Sequence, residues 1–81
     1  MYFVYILESQ KDSEKIYIGF TSDLTKRLEE HNASESNYSR RYAPWKLVSY
    51  TAFVRKSAAL AFETYLKSGS GFAFLKKRLL S

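Results

Sequence analysis

The first apolar positions form an unbroken run, Tyr2-Phe3-Val4-Tyr5-Ile6-Leu7, rich in β-branched and aromatic side chains, which predicts a strand. A polar stretch, Ser9 to Glu14, separates it from a second run, Lys15 to Thr21, so the pair predicts an antiparallel hairpin. Side chains alternate between faces along a strand. Tyr5 therefore shares a face with Phe3 and Leu7, and Tyr17 shares one with Gly19. Because Gly19 lacks a side chain, open space is expected beside Tyr17, where a ligand or another chain could approach. After Thr21 the period changes. Leu24 and Leu28 mark the apolar stripe of a helix that starts near Asp23, with Ser22 or Thr21 as its cap, and ends around Asn32. Arg27 and His31, four apart, fall together on one edge of that stripe.

Ala33 to Arg41 has no apolar period and reads as a loop. Trp45 to Phe53, following Pro44, predicts a third strand. Ser57 can cap a helix running from Ala58 to about Ser68, with Ala59, Phe62 and Leu66 inward and Glu63 in the same sector. Gly69-Ser70-Gly71 then interrupts the pattern. Ser70 can cap a last helix whose Phe72, Leu75 and Leu79 face inward and whose Lys76, Lys77 and Arg78 face out. The order ββαβαα predicts an α+β fold, a small three-stranded antiparallel sheet flanked by helices. No repeat or linker divides the chain, so one domain over residues 1–81 is expected.

Composition narrows this picture. Hydrophobic residues are 46% and aromatics 17% of the chain, which excludes disorder for most of it. The absence of cysteine excludes disulfides and thiolate metal sites. The opening run lacks a basic leader and is too short for a signal peptide or a membrane span, so a cytoplasmic protein without membrane association is expected. The formal net charge of +5 suits a polyanionic partner such as nucleic acid.

The candidate chemistry lies in five side chains. Glu63, a carboxylate in an apolar sector, needs a partner: either a neighbouring Lys or Arg, or a hard cation such as Mg2+. Arg27 offers a planar fork for phosphate oxygens, or pairs with Asp23 or Glu30 on its own helix. His31, the sole histidine, can bind phosphate or move protons near neutral pH. Tyr5 and Tyr17 are core residues by default. As general bases they would need activation, because a free phenol has a pKa of about 10. Arg40, Arg41, Lys46, Arg55 and Lys56, with the run from Lys76 to Arg78, are candidates for contacts with nucleic-acid phosphates. Tyr38 and Tyr42 lie among basic residues and could stack on unpaired bases.

Taken in order, Tyr5 within Phe3-Val4-Tyr5 and the later Tyr17-Ile18-Gly19 resemble the paired signature of the GIY-YIG nuclease superfamily. The segment from Thr21 to Asn32 is similar to that family's following helix with its Arg, Trp45-Lys46-Leu47-Val48 resembles its third strand, and Glu63 falls at its metal-binding Glu. The chain is most similar to small stand-alone bacterial members related to the nuclease domain of the excision-repair incision subunit. The stretch from Tyr65 to Lys77 also resembles that subgroup. Two positions depart from the pattern: Phe3 replaces the first glycine, and Phe20 and Thr21 stand where some members carry a Lys. The resemblance implies a metal-dependent endonuclease that hydrolyses phosphodiester bonds in nucleic acid, DNA before RNA, structure-selective or weakly specific, with Tyr5, Tyr17, Arg27, His31 and Glu63 as its site. It implies Mg2+ or Mn2+ on Glu63 and no other cofactor. Tyr17 would activate the attacking water, with Tyr5 positioning it or exchanging roles with it, His31 would orient the water or accept its proton, and Arg27 would offset phosphoryl charge. The alternative is a nucleic-acid-binding module that keeps the fold without cutting.

Overall fold

The computed structural model describes residues 1–33 and 37–80, with side chains for all of these except 37–39. Ser34, Glu35, Ser36 and Ser81 lie outside the described residues, as does the side chain of Tyr38. Strand β1 (Tyr2–Ser9) and strand β2 (Ile16–Thr21) form the expected hairpin. Ser9 closes it: its hydroxyl accepts from the amides of Lys11 and Asp12 and donates to the Tyr42 carbonyl at 2.6 Å. Strand β3 (Trp45–Phe53) pairs with the other side of β1, giving an antiparallel sheet of order β2-β1-β3. An extra residue in β3 breaks the register between Ile6 and Leu7, as a bulge does.

The helices cover both faces of this sheet. Helix α1 (Leu24–Asn32) is followed by α2 (Asn37–Tyr42), and α3 (Lys56–Leu66) by α4 (Gly69–Phe74), which continues into a wider π-type turn, Leu75–Leu79. Val4 and Ile6 pack with Ala59, Leu66 and Leu75 on one side of the sheet. Tyr5 and Leu7 pack with Trp45 and, around them, Leu24 and Leu28 on the other. The central strand is therefore buried on both faces, which explains an opening run that is apolar at every position rather than at alternate ones. None of these helices is long and apolar enough to cross a membrane.

The elements follow the expected order ββαβαα, with one addition. The segment expected to be a loop contains α2, six residues long and too short to show an apolar period. Three caps also differ. Asp23 itself caps α1, its side chain accepting from the Lys26 amide at 3.1 Å, while the Thr21 hydroxyl braces the Asp23 backbone. Helix α3 starts at Lys56 without a side-chain cap, so Ser57 lies inside it. Ser68, not Ser70, caps α4 by accepting from the Gly71 amide at 3.2 Å. Gly71 consequently sits inside α4, where a Cβ would collide with the Tyr65 carbonyl. That close approach fixes the inward face as Gly71, Leu75 and Leu79, four residues apart. Phe72 lies one position off this face and is 39% exposed, contrary to its expected inward orientation.

Candidate active site

Tyr5 is fully enclosed at 2% exposure, so its hydroxyl needs a partner. It finds His31 in the last turn of α1, with Tyr5 Oη and His31 Nε2 hydrogen-bonded at 3.1 Å. The space beside Gly19 is not open. Gly19 faces Tyr5 across the β1–β2 ladder, and a Cβ there would strike the Tyr5 hydroxyl and ring. The glycine thus makes room for the phenol of the neighbouring strand rather than for a ligand.

Tyr17 lies on the other side of the same cluster. Its ring stacks on Tyr5 at 6.3 Å between centroids and meets His31 edge-on at 4.4 Å. Trp45 closes the group, 6.4 Å from Tyr17 and 6.5 Å from His31. Tyr17 is only half-buried, and with Ile16, Ile18, Lys67 and Phe72 it lines a mostly apolar cleft of about 490 Å³ at the β2 edge of the sheet. Tyr5 is the enclosed tyrosine and Tyr17 the accessible one.

Arg27 reaches the cluster from α1. Burial, reinforced by Tyr17, pushes the Tyr5 hydroxyl up to about 12, while the Arg27 guanidinium pulls it down through its charge and a hydrogen bond. Burial and the same guanidinium hold His31 below its usual value, against the opposing charge of Glu30. The imidazole is therefore neutral at pH 7. Arg27 also pairs with Glu30 at 3.1 Å, with both side chains more than 40% exposed. It borders a polar cleft of about 300 Å³ shared with Thr21, Ser22, Asp23, Lys26 and Glu30.

Glu63 comes from α3, the helix packed against the opposite face of the sheet. Its side chain is 19% exposed and bonded through Oε2 to Lys67 Nζ at 3.2 Å. Its charge is felt at the Tyr5 hydroxyl, where it is one of the influences raising the pKa. Among the described residues no three His, Asp or Glu side chains form a metal cage. A single carboxylate fits a hard cation that retains waters and takes phosphate oxygens, as Mg2+ and Mn2+ do.

Four of the five candidates, Tyr5, Tyr17, Arg27 and His31, thus form one cluster, and Glu63 acts on it electrostatically from the other face. Arg40, Arg41, Lys46, Arg55 and Lys56 are all exposed. Arg41 and Lys15 each lie 5.6 Å from the centre of the Tyr42 ring, while Arg55 and Lys56 stand at the start of α3, about two turns before Glu63. Sequence reasoning passes over Trp45 and Lys67. The Glu63–Lys67 spacing of four is a usable signal for the ion pair. Nothing in the sequence places Trp45 against His31.

Comparison with known proteins bears on the family and the fold. The model of the GIY-YIG catalytic domain matches residues 1–77. A UPF0213 protein of Haloquadratum walsbyi is 41% identical over 68 residues, covering 83% of this chain and 74% of the relative. A UPF0213 protein of Streptococcus pyogenes serotype M5 is 38% identical over 66 residues, covering 80% and 70%. The solution NMR structure of a UPF0213 protein from Bacillus halodurans superposes with a TM-score of 0.56 at 31% identity, covering 95% of this chain and 84% of that one.

Proposed function

Because this chain belongs to the GIY-YIG catalytic-domain family, alongside the UPF0213 proteins, we propose that it is a divalent-metal-dependent endonuclease hydrolysing phosphodiester bonds in DNA. The observation that carries the reading is the Tyr5–His31 hydrogen bond beneath Tyr17, with the Arg27 guanidinium near enough to draw down the pKa of the same phenol. Core packing alone does not call for a neutral histidine, two tyrosines and a guanidinium within one cluster. The substrate is DNA, selected by its structure or only weakly by its sequence, as the resemblance to nucleases related to the excision-repair incision subunit implies, and the compartment is the cytoplasm.

Each side chain then has a role. Arg27 turns from Glu30 toward the scissile phosphate and offsets the charge that develops on its oxygens. Tyr17, the accessible tyrosine, positions the attacking water. The released proton passes by way of the Tyr17 hydroxyl to His31, whose depressed pKa keeps it ready as an acceptor. Tyr5, with its raised pKa, stays protonated and fixes the orientation of the imidazole. Glu63 would hold one Mg2+ or Mn2+, which when bound supplies Lewis-acid stabilisation of the leaving 3′ oxygen. The exposed Arg40, Arg41, Lys46, Arg55 and Lys56 hold the flanking phosphates.

The test is nicking of supercoiled plasmid and cleavage of a branched oligonucleotide with Mg2+ or Mn2+, beside Glu63→Gln and Arg27→Ala. Metal-dependent nicking that falls by about 10²-fold or more in each variant is expected. Salt-sensitive binding without cleavage by the unaltered protein would instead identify a non-catalytic nucleic-acid-binding module.

A further inference from the structure

Glu63 and Lys67 are four residues apart on α3, a spacing that stabilises many helices without further purpose. Three observations set this pair apart. Glu63 is the more enclosed partner, at 19% side-chain exposure against 55% for Lys67. Its charge reaches the buried Tyr5 phenol. Lys67 itself lines the cleft that Tyr17 borders. Lys67 therefore borders both the carboxylate and the cleft in which a substrate phosphate would meet Tyr17.

We propose that Lys67 is a positioning residue that changes partners: it neutralises Glu63 in the free protein and binds a substrate phosphate once a divalent cation has taken the carboxylate. The inference rests on the metal site proposed above and adds the side chain that couples it to the nucleic acid. Two cations cannot share one carboxylate closely without repulsion, so arrival of the metal drives the ammonium off. A lysine on a flexible four-carbon stem, anchored at the end of α3, can then swing into the cleft. A phosphate is the available anion there, and by linkage each ligand then tightens the other. With no metal present, Lys67 stays on Glu63 and contributes little to nucleic-acid binding.

The experiment measures Mn2+ affinity by electron paramagnetic resonance and oligonucleotide affinity by anisotropy, the latter in Mn2+ and in EDTA. It compares the unaltered chain with Lys67→Met, Lys67→Arg and Glu63→Gln. Without nucleic acid, Lys67→Met should bind Mn2+ about 2- to 5-fold more tightly, the range released by breaking a partly exposed ion pair. In Mn2+ it should bind the oligonucleotide more weakly, with the slope of log K against log salt reduced by about 1. In EDTA its oligonucleotide affinity should be unchanged, and Lys67→Arg should preserve the coupling between the two ligands. Equal losses in Mn2+ and EDTA would make Lys67 an ordinary phosphate contact and overturn the exchange. So would tighter Mn2+ binding with no effect on the oligonucleotide, which simple charge repulsion would produce. Mn2+ affinity that depends on Glu63 but not on Lys67 would remove the exchange alone. Equal Mn2+ affinity in Glu63→Gln and the unaltered chain would remove the metal site and the exchange with it.

Discussion

An alanine at position 19 sets two effects of opposite sign against each other. Glycine in a strand interior costs roughly 0.5–1 kcal/mol relative to alanine, so at an open position Gly19→Ala should stabilise the protein. Here the added methyl would run into the Tyr5 hydroxyl and ring. That ring has nowhere to go, being 2% exposed, stacked on Tyr17 and bonded to His31. Overpacking of this kind costs about 1–3 kcal/mol. At mid-range the steric cost of about 2 kcal/mol outweighs the gain in backbone entropy of about 0.75 kcal/mol, leaving a net loss of about 1 kcal/mol. For a domain of this size each kcal/mol lowers Tm by about 4–8 °C. Thermal unfolding followed by circular dichroism should therefore show a fall of several degrees. Tyr5→Leu removes both the hydroxyl and the ring atoms that the methyl meets, so the cost of Gly19→Ala should shrink in that background by at least ~0.5 kcal/mol, the coupling typical of residues in contact. A Tm that is unchanged or raised, or strict additivity of the two substitutions, would refute the claim that Tyr5 fills the space over Gly19.

Two further outcomes follow from the same cluster. The depressed pKa of His31 makes its contribution to stability complete above the unfolded value of about 6.5 and lost as pH falls through the folded value. Tm should be flat above pH ~7 and decline toward pH ~5, and His31→Gln should flatten that decline. A slope that survives the substitution would count against a buried neutral imidazole. Asn32 clamps the start of β3, accepting from the Trp45 amide at 2.6 Å and donating to its carbonyl at 3.3 Å. Asn32→Ala should cost about 1–3 kcal/mol in denaturant unfolding by stranding those groups, whereas a loss under ~0.5 kcal/mol would show that water replaces the clamp.

Much of this arrangement is legible in the chain because it rests on period. The hairpin follows from two apolar runs divided by a polar stretch, and the Leu24–Leu28 stripe and the Ala59, Phe62 and Leu66 face follow from spacings of three and four that burial enforces. Arg27 and His31 fall on one edge for the same reason, and both reach Tyr5. Contacts between elements are what the chain does not spell out. Gly19 reads as a vacancy because strand alternation describes one strand, and its occupant comes from the next. Phe72 reads as inward because it stands three residues before Leu75, yet Gly71, four before Leu75, takes that face because only a residue without a side chain fits against the Tyr65 carbonyl. The short α2 escapes because six residues complete less than two turns. The partners of Arg27 and Glu63 on their own helices are foreseeable in kind, yet only coordinates choose Glu30 over Asp23 and name Lys67.

Trp45 is the only tryptophan in the chain, and it is buried with its ring facing both Tyr17 and His31. The protein thereby carries its own fluorophore inside the site, with no competing indole elsewhere. A protonated imidazole quenches indole emission more strongly than a neutral one, so the intensity becomes a titration curve for His31. On the proposed function, a cation arriving at Glu63 or a phosphate beside Tyr17 would shift the local field and with it the emission wavelength. Ligand occupancy and proton uptake can be read optically from unlabelled, unsubstituted protein, on the millisecond timescale of a stopped-flow mixer.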